Sequence, residues 1–124
     1  QVEAVGGLAL GADPISGATA AGAASRGIDL DAFMVRKQPK GHGTGRQVEG
    51  PILDGAKVAM VEDTVTTGGS TLDAIAAVER ERDACVQVVT AMVDRLAGAR
   101  RAIESSGYAF RPLFTVEELG VKTE

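Results

Sequence analysis

The sequence predicts an α/β fold in which helices cover both faces of a central, mainly parallel sheet. Short apolar runs alternate with segments whose apolar residues recur at helical spacing, and this alternation is typical of right-handed βαβ units. Aromatic residues make up only 3% of the chain, while Ala and Val supply most of its apolar mass, which suits helices packed closely on a sheet. With 124 residues, 44% of them hydrophobic, the chain can bury one core of ordinary size. We therefore expect a single domain over residues 1–124.

Five apolar runs predict strands. They lie at residues 2–5, 30–35, 57–61, 85–93 and 108–114. Pro112 interrupts the last run and predicts an edge strand, because proline has no backbone N–H to donate. Cys85 begins the fourth run, where we expect a buried structural thiol. As the only cysteine it can form no intrachain disulfide, which favours a reducing, cytoplasmic environment.

Helical spacing predicts three helices and a final turn. The helices begin near residue 13, at residue 70 and at residue 99, the last two end near residue 83 and at residue 106, and the turn covers residues 115–119. Asp13 and Pro14 are typical of an N-cap and a first helical turn, and Gly27 is expected to end the first helix. Thr115 and Glu118 have the spacing of a capping box.

The loops that follow the predicted strands are expected to meet at one edge of the sheet. They are the glycine-rich turn 6–12, the polar segment 36–49, the loop 62–70 and the pair 94–95. Segment 36–49 has no hydrophobic periodicity and is expected to be a flexible loop. Ligands bind beyond the carboxyl ends of the strands in parallel sheets, so these four segments are the candidate site.

Residues 57–71 read KVAMVEDTVTTGGST and run from a strand through two carboxylates into a loop that opens a helix. Amide groups at a helix start have no intrahelical partners and carry partial positive charge, so they suit a phosphate, which Gly68 and Gly69 allow to approach closely. Glu62 and Asp63 would repel that phosphate, and we expect them to face sugar hydroxyls or a cation. The alternative is an ordinary strand–turn–helix junction whose polar side chains cap the helix.

This stretch resembles the phosphoribosyl-pyrophosphate (PRPP) motif of the type I phosphoribosyltransferases. That motif has an apolar strand, two acidic residues and a T-x-x-T-G-G-type loop in the same order as residues 57–71. The resemblance implies the type I phosphoribosyltransferase fold. A nucleoside-triphosphate loop explains the segment less well, because the chain has no G-x-x-x-x-G-K-[ST] sequence.

Residues 35–43, which read VRKQPKGHG, resemble the catalytic loop of the orotate phosphoribosyltransferases. In that family the loop closes over PRPP and reaches across a dimer interface. The resemblance implies that Arg36, Lys40 and His42 serve the partner's site, whereas Lys37 acts on its own subunit's or a shared pyrophosphate. Such cations would stabilise the charge of a departing pyrophosphate. Taken alone, the segment would be interpreted as a solvated run of charges.

The resemblance also implies a set of site residues. PRPP would be bound by Arg36, Lys37, Lys40, His42, Glu62, Asp63, Thr64, Val65, Thr66, Thr67, Gly68, Gly69 and Ser70. The catalytic members would be Arg36, Lys37, Lys40, His42, Glu62 and Asp63. Orotate would be bound by Thr66 and by Arg95, whose guanidinium can meet a carboxylate with two parallel hydrogen bonds. Arg95 could instead be a surface salt-bridge partner of Asp94 or of a nearby Glu. Magnesium would be held mainly by PRPP, with Glu62 and Asp63 contributing through water.

The function implied is transfer of ribose 5-phosphate from PRPP to orotate, which forms orotidine 5′-monophosphate and pyrophosphate in pyrimidine (UMP) biosynthesis. The resemblance implies a cytoplasmic homodimer. Two alternatives stay open: a phosphoribosyltransferase for another base, such as a purine, and a non-catalytic PRPP-sensing regulator. The net charge of −4 argues against a nucleic-acid partner. No apolar stretch approaches the ~20 residues that span a bilayer, so no membrane partner is expected.

Two departures from the family pattern stand out. Leu10 occupies a place where many orotate enzymes have a lysine in the pyrophosphate loop. The N-terminal hood of the family, which packs over the base, has no counterpart in these 124 residues, and the chain begins with Gln1 in place of Met. We therefore expect the domain to be incomplete at its N-terminus.

Overall fold

Six strands form one sheet in the computed structural model, which describes residues 1–39, 41 and 45–122. The strands are β1 (Ala4–Leu8), β2 (Asp31–Val35), β3 (Val48–Glu49), β4 (Lys57–Val65), β5 (Cys85–Asp94) and β6 (Phe114–Thr115). Their order is β3-β2-β1-β4-β5-β6, and every neighbouring pair is parallel except the antiparallel pair β2–β3. The predicted mainly parallel sheet is confirmed.

Helices cover both faces of this sheet, as predicted. They are α1 (Asp13–Ser25), α2 (Gly69–Arg82) and α3 (Ala99–Ser105). Helix α1 packs over a small apolar cluster that includes Val5 and Val61, while α2 and α3 cover the main core on the opposite face. Strand β4 serves both layers, because its alternate side chains point to opposite faces; Val58 and Met60 belong to the main core. None of the described helices is long and apolar enough to cross a membrane.

Strand β4 is four residues longer than predicted. The apolar pattern ends at Val61, but β4 stays paired with β5 as far as Val65, which lies opposite Asp94. The two carboxylates therefore lie inside a strand and not beyond its end. Backbone pairing does not require apolar side chains, so a polar strand end leaves no hydrophobic signal in the sequence.

The predicted edge strand 108–114 is wrong in its extent. Only an isolated bridge at Phe110 precedes β6, which starts at Phe114. Pro112 lies between the two and cannot donate to a neighbouring strand. The capping-box contact of the last turn is confirmed, because the Glu118 N–H donates to Thr115 Oγ1 at 3.2 Å.

Two local expectations differ from the structure, and a third, the glycine at the end of α1, agrees with it. Cys85 is exposed, because it is the first residue of β5 and lies at the end of the sheet, so the prediction of a buried thiol is wrong. The N-cap of α1 is Ala12 and not Asp13, which lies in the first helical turn together with Pro14. Gly27 follows the end of α1 with a φ of 73°, as its predicted role requires.

Segment 36–49 is not a loop throughout. Its last two residues form β3, where Val48 is fully buried and lies opposite Val35 of β2. The pattern of the segment hides this pairing, since only one apolar side chain marks a two-residue strand. Lys40 and His42 lie outside the described residues.

Candidate functional site

The sheet has its topological switch point between β1 and β4. From β1 the chain crosses to β2 on one side, whereas β4 leads to β5 on the other. The loops that leave β1 and β4 therefore diverge, and a crevice opens beyond their carboxyl ends. The predicted phosphate loop and the glycine-rich turn are these two loops.

Glycines let the turn after β1 press against the end of β4. A Cβ atom on Gly7 would collide with the carbonyl oxygen of Val61, and one on Gly11 would lie 2.7 Å from Oδ2 of Asp63. The turn contains a cis peptide bond between Ala9 and Leu10. The Leu10 side chain is 81% exposed, so it faces the crevice or solvent and leaves the backbone as the polar part of this turn.

The two carboxylates of β4 lie in different environments. Glu62 is only 6% exposed, and its Oε1 has no hydrogen-bond partner among the described residues. Burial, reinforced by the negative charge of Asp63, raises the pKa of Glu62 to about 7, although the side chain of Thr71 and the backbone of Leu8 act in the opposite direction. Asp63 is exposed, and its Oδ1 accepts a hydrogen bond of 2.8 Å from the Thr64 N–H. Asp63 is thus available to a ligand in the crevice.

The predicted phosphate loop leads into the N-terminus of α2. Gly68 is the N-cap with a φ of 87°, a conformation that L side chains rarely adopt. The Leu72 N–H donates to the Gly68 carbonyl at 3.0 Å, whereas the Gly69 N–H has only a long contact of 3.5 Å with Thr67 Oγ1. The first amides of α2 therefore remain available to an anion.

Thr66 and Arg95 are brought together by backbone hydrogen bonds. The Arg95 N–H donates to the Val65 carbonyl at 2.9 Å, and the Ala99 N–H donates to the Thr66 carbonyl at 3.1 Å. Both side chains line a cavity of about 550 Å³, whose other lining residues are Leu96, Ala97, Val116, Val121 and Lys122. Arg95 takes part in none of the ion pairs found within residues 1–39, 41 and 45–122, so the alternative pairing with Asp94 is not observed.

The described part of the basic segment lies beside the glycine-rich turn. Arg36 and Lys37 line a second cavity, of about 680 Å³, together with Ala9, Leu10, Gly11, Met34, Gln38, Pro39 and Gly41. Arg36 also forms a 3.3 Å ion pair with Glu49. The structure thus brings both described basic residues to the turn after β1, and the two remaining predicted cations fall outside the described residues.

The sequence prediction gave no role to Thr71, and it placed Asp94 in the candidate site only as a neighbour of Arg95. Thr71 is buried beside Glu62, and Asp94 is buried with its Oδ1 accepting a 2.9 Å hydrogen bond from the Leu96 N–H. This bond holds Leu96 in a left-handed conformation with a φ of 60°. An Asp side chain commonly accepts a hydrogen bond from the N–H two residues later in a turn. The Asp94 contact could therefore have been predicted from the sequence, whereas the Thr71 contact could not.

The described residues contain no group of three or more His, Cys, Asp or Glu side chains that could hold a metal ion. Two neighbouring carboxylates, one of them with an unpartnered oxygen, are the available ligands. This donor set fits magnesium bound chiefly by a phosphorylated ligand and by water, since that ion seldom uses an all-protein cage.

Comparison with profiles of known protein families found no match. Individual proteins do match along almost the whole chain. The orotate phosphoribosyltransferase of Streptomyces avermitilis is 51% identical over 120 residues, which cover 96% of this chain and 65% of that protein. The orotate phosphoribosyltransferase of Rhodopirellula baltica is 48% identical over 119 residues, again 96% of this chain, and 61% of its own length is covered. The chain therefore spans less than two thirds of these relatives.

A solved structure agrees with these relatives in fold as well as in sequence. The orotate phosphoribosyltransferase of Mycobacterium tuberculosis, crystallised in complex with PRPP, superposes with a TM-score of 0.81 and is 39% identical. The match covers 98% of this chain and 67% of that one. The type I fold expected from the resemblance is confirmed, and the chain belongs to the orotate phosphoribosyltransferase family.

Proposed function

We propose that the protein transfers ribose 5-phosphate from PRPP to orotate, forming orotidine 5′-monophosphate and pyrophosphate in pyrimidine biosynthesis. The observation that carries this proposal is the cavity shared by Thr66 and Arg95, next to the phosphate loop of a chain from this family. A threonine and an arginine that forms no ion pair with the described residues lie beside a helix N-terminus, and they offer separate contacts for a base carboxylate and a sugar phosphate.

The 5-phosphate is bound by the segment 66–70 and the first amides of α2. Thr64 and Val65 lead into this segment, and Thr67, Gly68, Gly69 and Ser70 complete it. The available N–H groups and the left-handed conformation of Gly68 support this role. A phosphate dianion gains both hydrogen bonds and the favourable end of the helix dipole there.

The ribose hydroxyls are bound by the carboxylates of β4, with Asp63 in direct contact from its exposed position. Glu62 supplies negative charge when it is ionised, and its Oε1, which has no partner among the described residues, is an acceptor for a ribose hydroxyl. Negative charge near the ring stabilises an oxocarbenium-like transition state as the bond between C1 and the pyrophosphate oxygen breaks. Magnesium, when bound, supplies charge neutralisation for the pyrophosphate.

The pyrophosphate lies near the second cavity, where Arg36 and Lys37 meet the turn after β1. Cations that border this space stabilise the charge on the leaving group. Lys40 and His42 complete the cationic set by resemblance. Because Leu10 replaces the lysine of many relatives, backbone amides of the turn take over part of the contact. The segment 36–49 acts as a catalytic loop, whose last two residues are anchored as β3.

We further propose a cytoplasmic homodimer in which the part of this loop that carries Lys40 and His42 serves the partner's site, while Arg36 and Lys37 remain beside the turn after β1 of their own subunit. Mixing two inactive variants tests the sharing of sites. If Lys40→Ala and Asp63→Asn subunits are mixed, a mixed dimer has one site with intact carboxylates and an intact loop from the neighbour, so activity reappears. If each loop serves its own subunit, both sites of the mixed dimer stay defective and no activity returns.

The test of the reaction itself uses the purified complete protein with PRPP and magnesium. Orotate should be consumed and pyrophosphate released in equal amounts, whereas a purine base should be left unchanged. Consumption of adenine or hypoxanthine without consumption of orotate would contradict the proposal. Binding of PRPP without turnover of any base would instead favour the regulator.

A further inference from the structure

The C-terminal end of α2 holds the base of the basic segment through three consecutive charged residues. Arg80 Nη2 donates to Gln47 Oε1 at 2.8 Å. Arg82 Nη1 donates to the Ile52 carbonyl at 2.7 Å, and its Nη2 donates to the Val48 carbonyl at 3.2 Å. These contacts join residues 30 to 34 positions apart in the chain.

Glu81 lies between these two arginines in the sequence and contacts the backbone N–H groups of the same segment. Its Oε1 accepts hydrogen bonds from the backbone N–H of Gln47 at 3.0 Å and of Val48 at 3.1 Å, and its Oε2 lies 3.1 Å from the Gln47 nitrogen. The Glu81 side chain is only 16% exposed. A carboxylate that accepts backbone N–H groups in a partly buried place forms strong, directional bonds.

Gln47 passes this constraint on to Arg36. Its Nε2 donates to the Arg36 carbonyl at 3.1 Å, and the Arg36 N–H donates back to the Gln47 carbonyl at 2.8 Å. The Arg36 side chain lines the second cavity beside the turn after β1. A chain of hydrogen bonds therefore connects Glu81 to a cation of the site.

We propose that Glu81 is a positioning residue that holds Arg36 and Lys37 at the pyrophosphate end of the site. The inference rests on the proposed function, because it assigns pyrophosphate to the cavity that these cations line. Helix α2 connects this anchor to the phosphate loop. Its N-terminus is the phosphate loop and its C-terminus carries Glu81, so one rigid helix of roughly 21 Å sets the distance between the two anion-binding parts.

Binding of two ligands distinguishes a positioning role of Glu81 from a general effect on the structure. In the complete protein, Glu81→Ala is expected to weaken binding of magnesium pyrophosphate about tenfold, measured by calorimetry. Binding of ribose 5-phosphate should change less than about twofold, because the phosphate loop and Asp63 are untouched. Glu79→Ala is the matched control, since Glu79 lies on the same helix but bonds Tyr108 away from the site; it should change neither affinity.

Hydrogen exchange tests the anchor without any ligand. The amides of Gln47 and Val48 should exchange at least about tenfold faster in Glu81→Ala than in the wild type or in Glu79→Ala. This measurement stays informative if the wild type consumes no orotate, in which case the proposed function fails and the anchor is judged separately. Equal losses of both ligand affinities, or unchanged exchange at these two amides, would overturn the inference.

A more conservative substitution tests the inference if Glu81→Ala does not fold. Glu81→Gln keeps the shape of the side chain and one acceptor oxygen, but turns an NH₂ group toward a backbone N–H. It should lose pyrophosphate affinity by about threefold and keep its affinity for ribose 5-phosphate. An unchanged pyrophosphate affinity in this variant would equally overturn the inference.

Discussion

Replacing Glu62 by Gln should stabilise the protein at neutral and alkaline pH. Burial raises the pKa of this carboxyl from 4.5 to about 7, and the charge of Asp63 adds to the effect. In the unfolded chain the carboxyl ionises near its ordinary value, so the folded state holds this proton more tightly between those two pH values. The contribution of Glu62 to the free energy of unfolding is therefore largest below about pH 4.5, decreases as the pH rises, and is lost above about pH 7.

The size of the effect follows from the two pKa values. A tenfold difference in proton affinity corresponds to about 1.4 kcal/mol, so the difference between 4.5 and about 7 amounts to about 3 kcal/mol. Gln is uncharged at all these pH values and does not carry this cost. The advantage of the variant over the wild type should therefore grow by about 3 kcal/mol between pH 4.5 and pH 8.

Urea unfolding of the ligand-free protein at a series of pH values measures this difference directly. Glu117→Gln is the control, because it makes the same chemical change at an exposed position and should show no such trend. If Glu62 binds a ribose hydroxyl as proposed, the stabilised Glu62→Gln variant should also bind PRPP less tightly, since an amide oxygen is a weaker hydrogen-bond acceptor than a carboxylate. A stability difference that stays constant from pH 4.5 to pH 8 would refute the reasoning about this carboxyl.

Three further predictions concern other parts of the molecule. Arg95→Ala should raise the KM for orotate by roughly 30-fold or more, because a charged hydrogen-bond partner is lost, while Arg101→Ala, at an exposed arginine of α3, should have little effect; steady-state kinetics would contradict this if the KM for PRPP rose equally. Gly7→Ala should lower the melting temperature sharply because its Cβ would collide with backbone, whereas Gly17→Ala has open space in α1 and should raise stability by up to about 1 kcal/mol; similar melting curves for both would be the contrary result. Cys85 should react with a thiol reagent in the native protein, and reaction only after unfolding would disprove its exposure.

The fold could be predicted because its signals are local. Each apolar run and each helical repeat needs only its own neighbours in the sequence, and proline and glycine mark several ends. The C-terminal end of β4 and the existence of β3 depend on a partner strand. Val65, for example, belongs to β4 because it pairs with Asp94, and no pattern within either segment indicates such pairing. Cys85 shows the same limit, since an apolar run does not tell which of its ends reaches solvent.

The site was predictable to the extent that its residues lie next to strand ends. Thr66 and Arg95 were predicted to lie in one site, and both line the same cavity. This could be expected because both residues follow neighbouring parallel strands. Thr71 and Glu81 were not expected, because each reaches its partner, Glu62 or Gln47, from helix α2. Contacts of that kind depend on how α2 packs on the sheet, which the sequence alone does not specify.

Both edges of the sheet are formed by strands of two residues, β3 and β6. Pro51 follows β3 closely and Pro112 precedes β6, so each edge offers few free N–H groups to another chain. Growth of the sheet by addition of a foreign strand is thereby discouraged, which protects the protein against amyloid-like stacking at high concentration. The proposed homodimer would then associate through helix faces and loops, surfaces whose side chains can specify one partner.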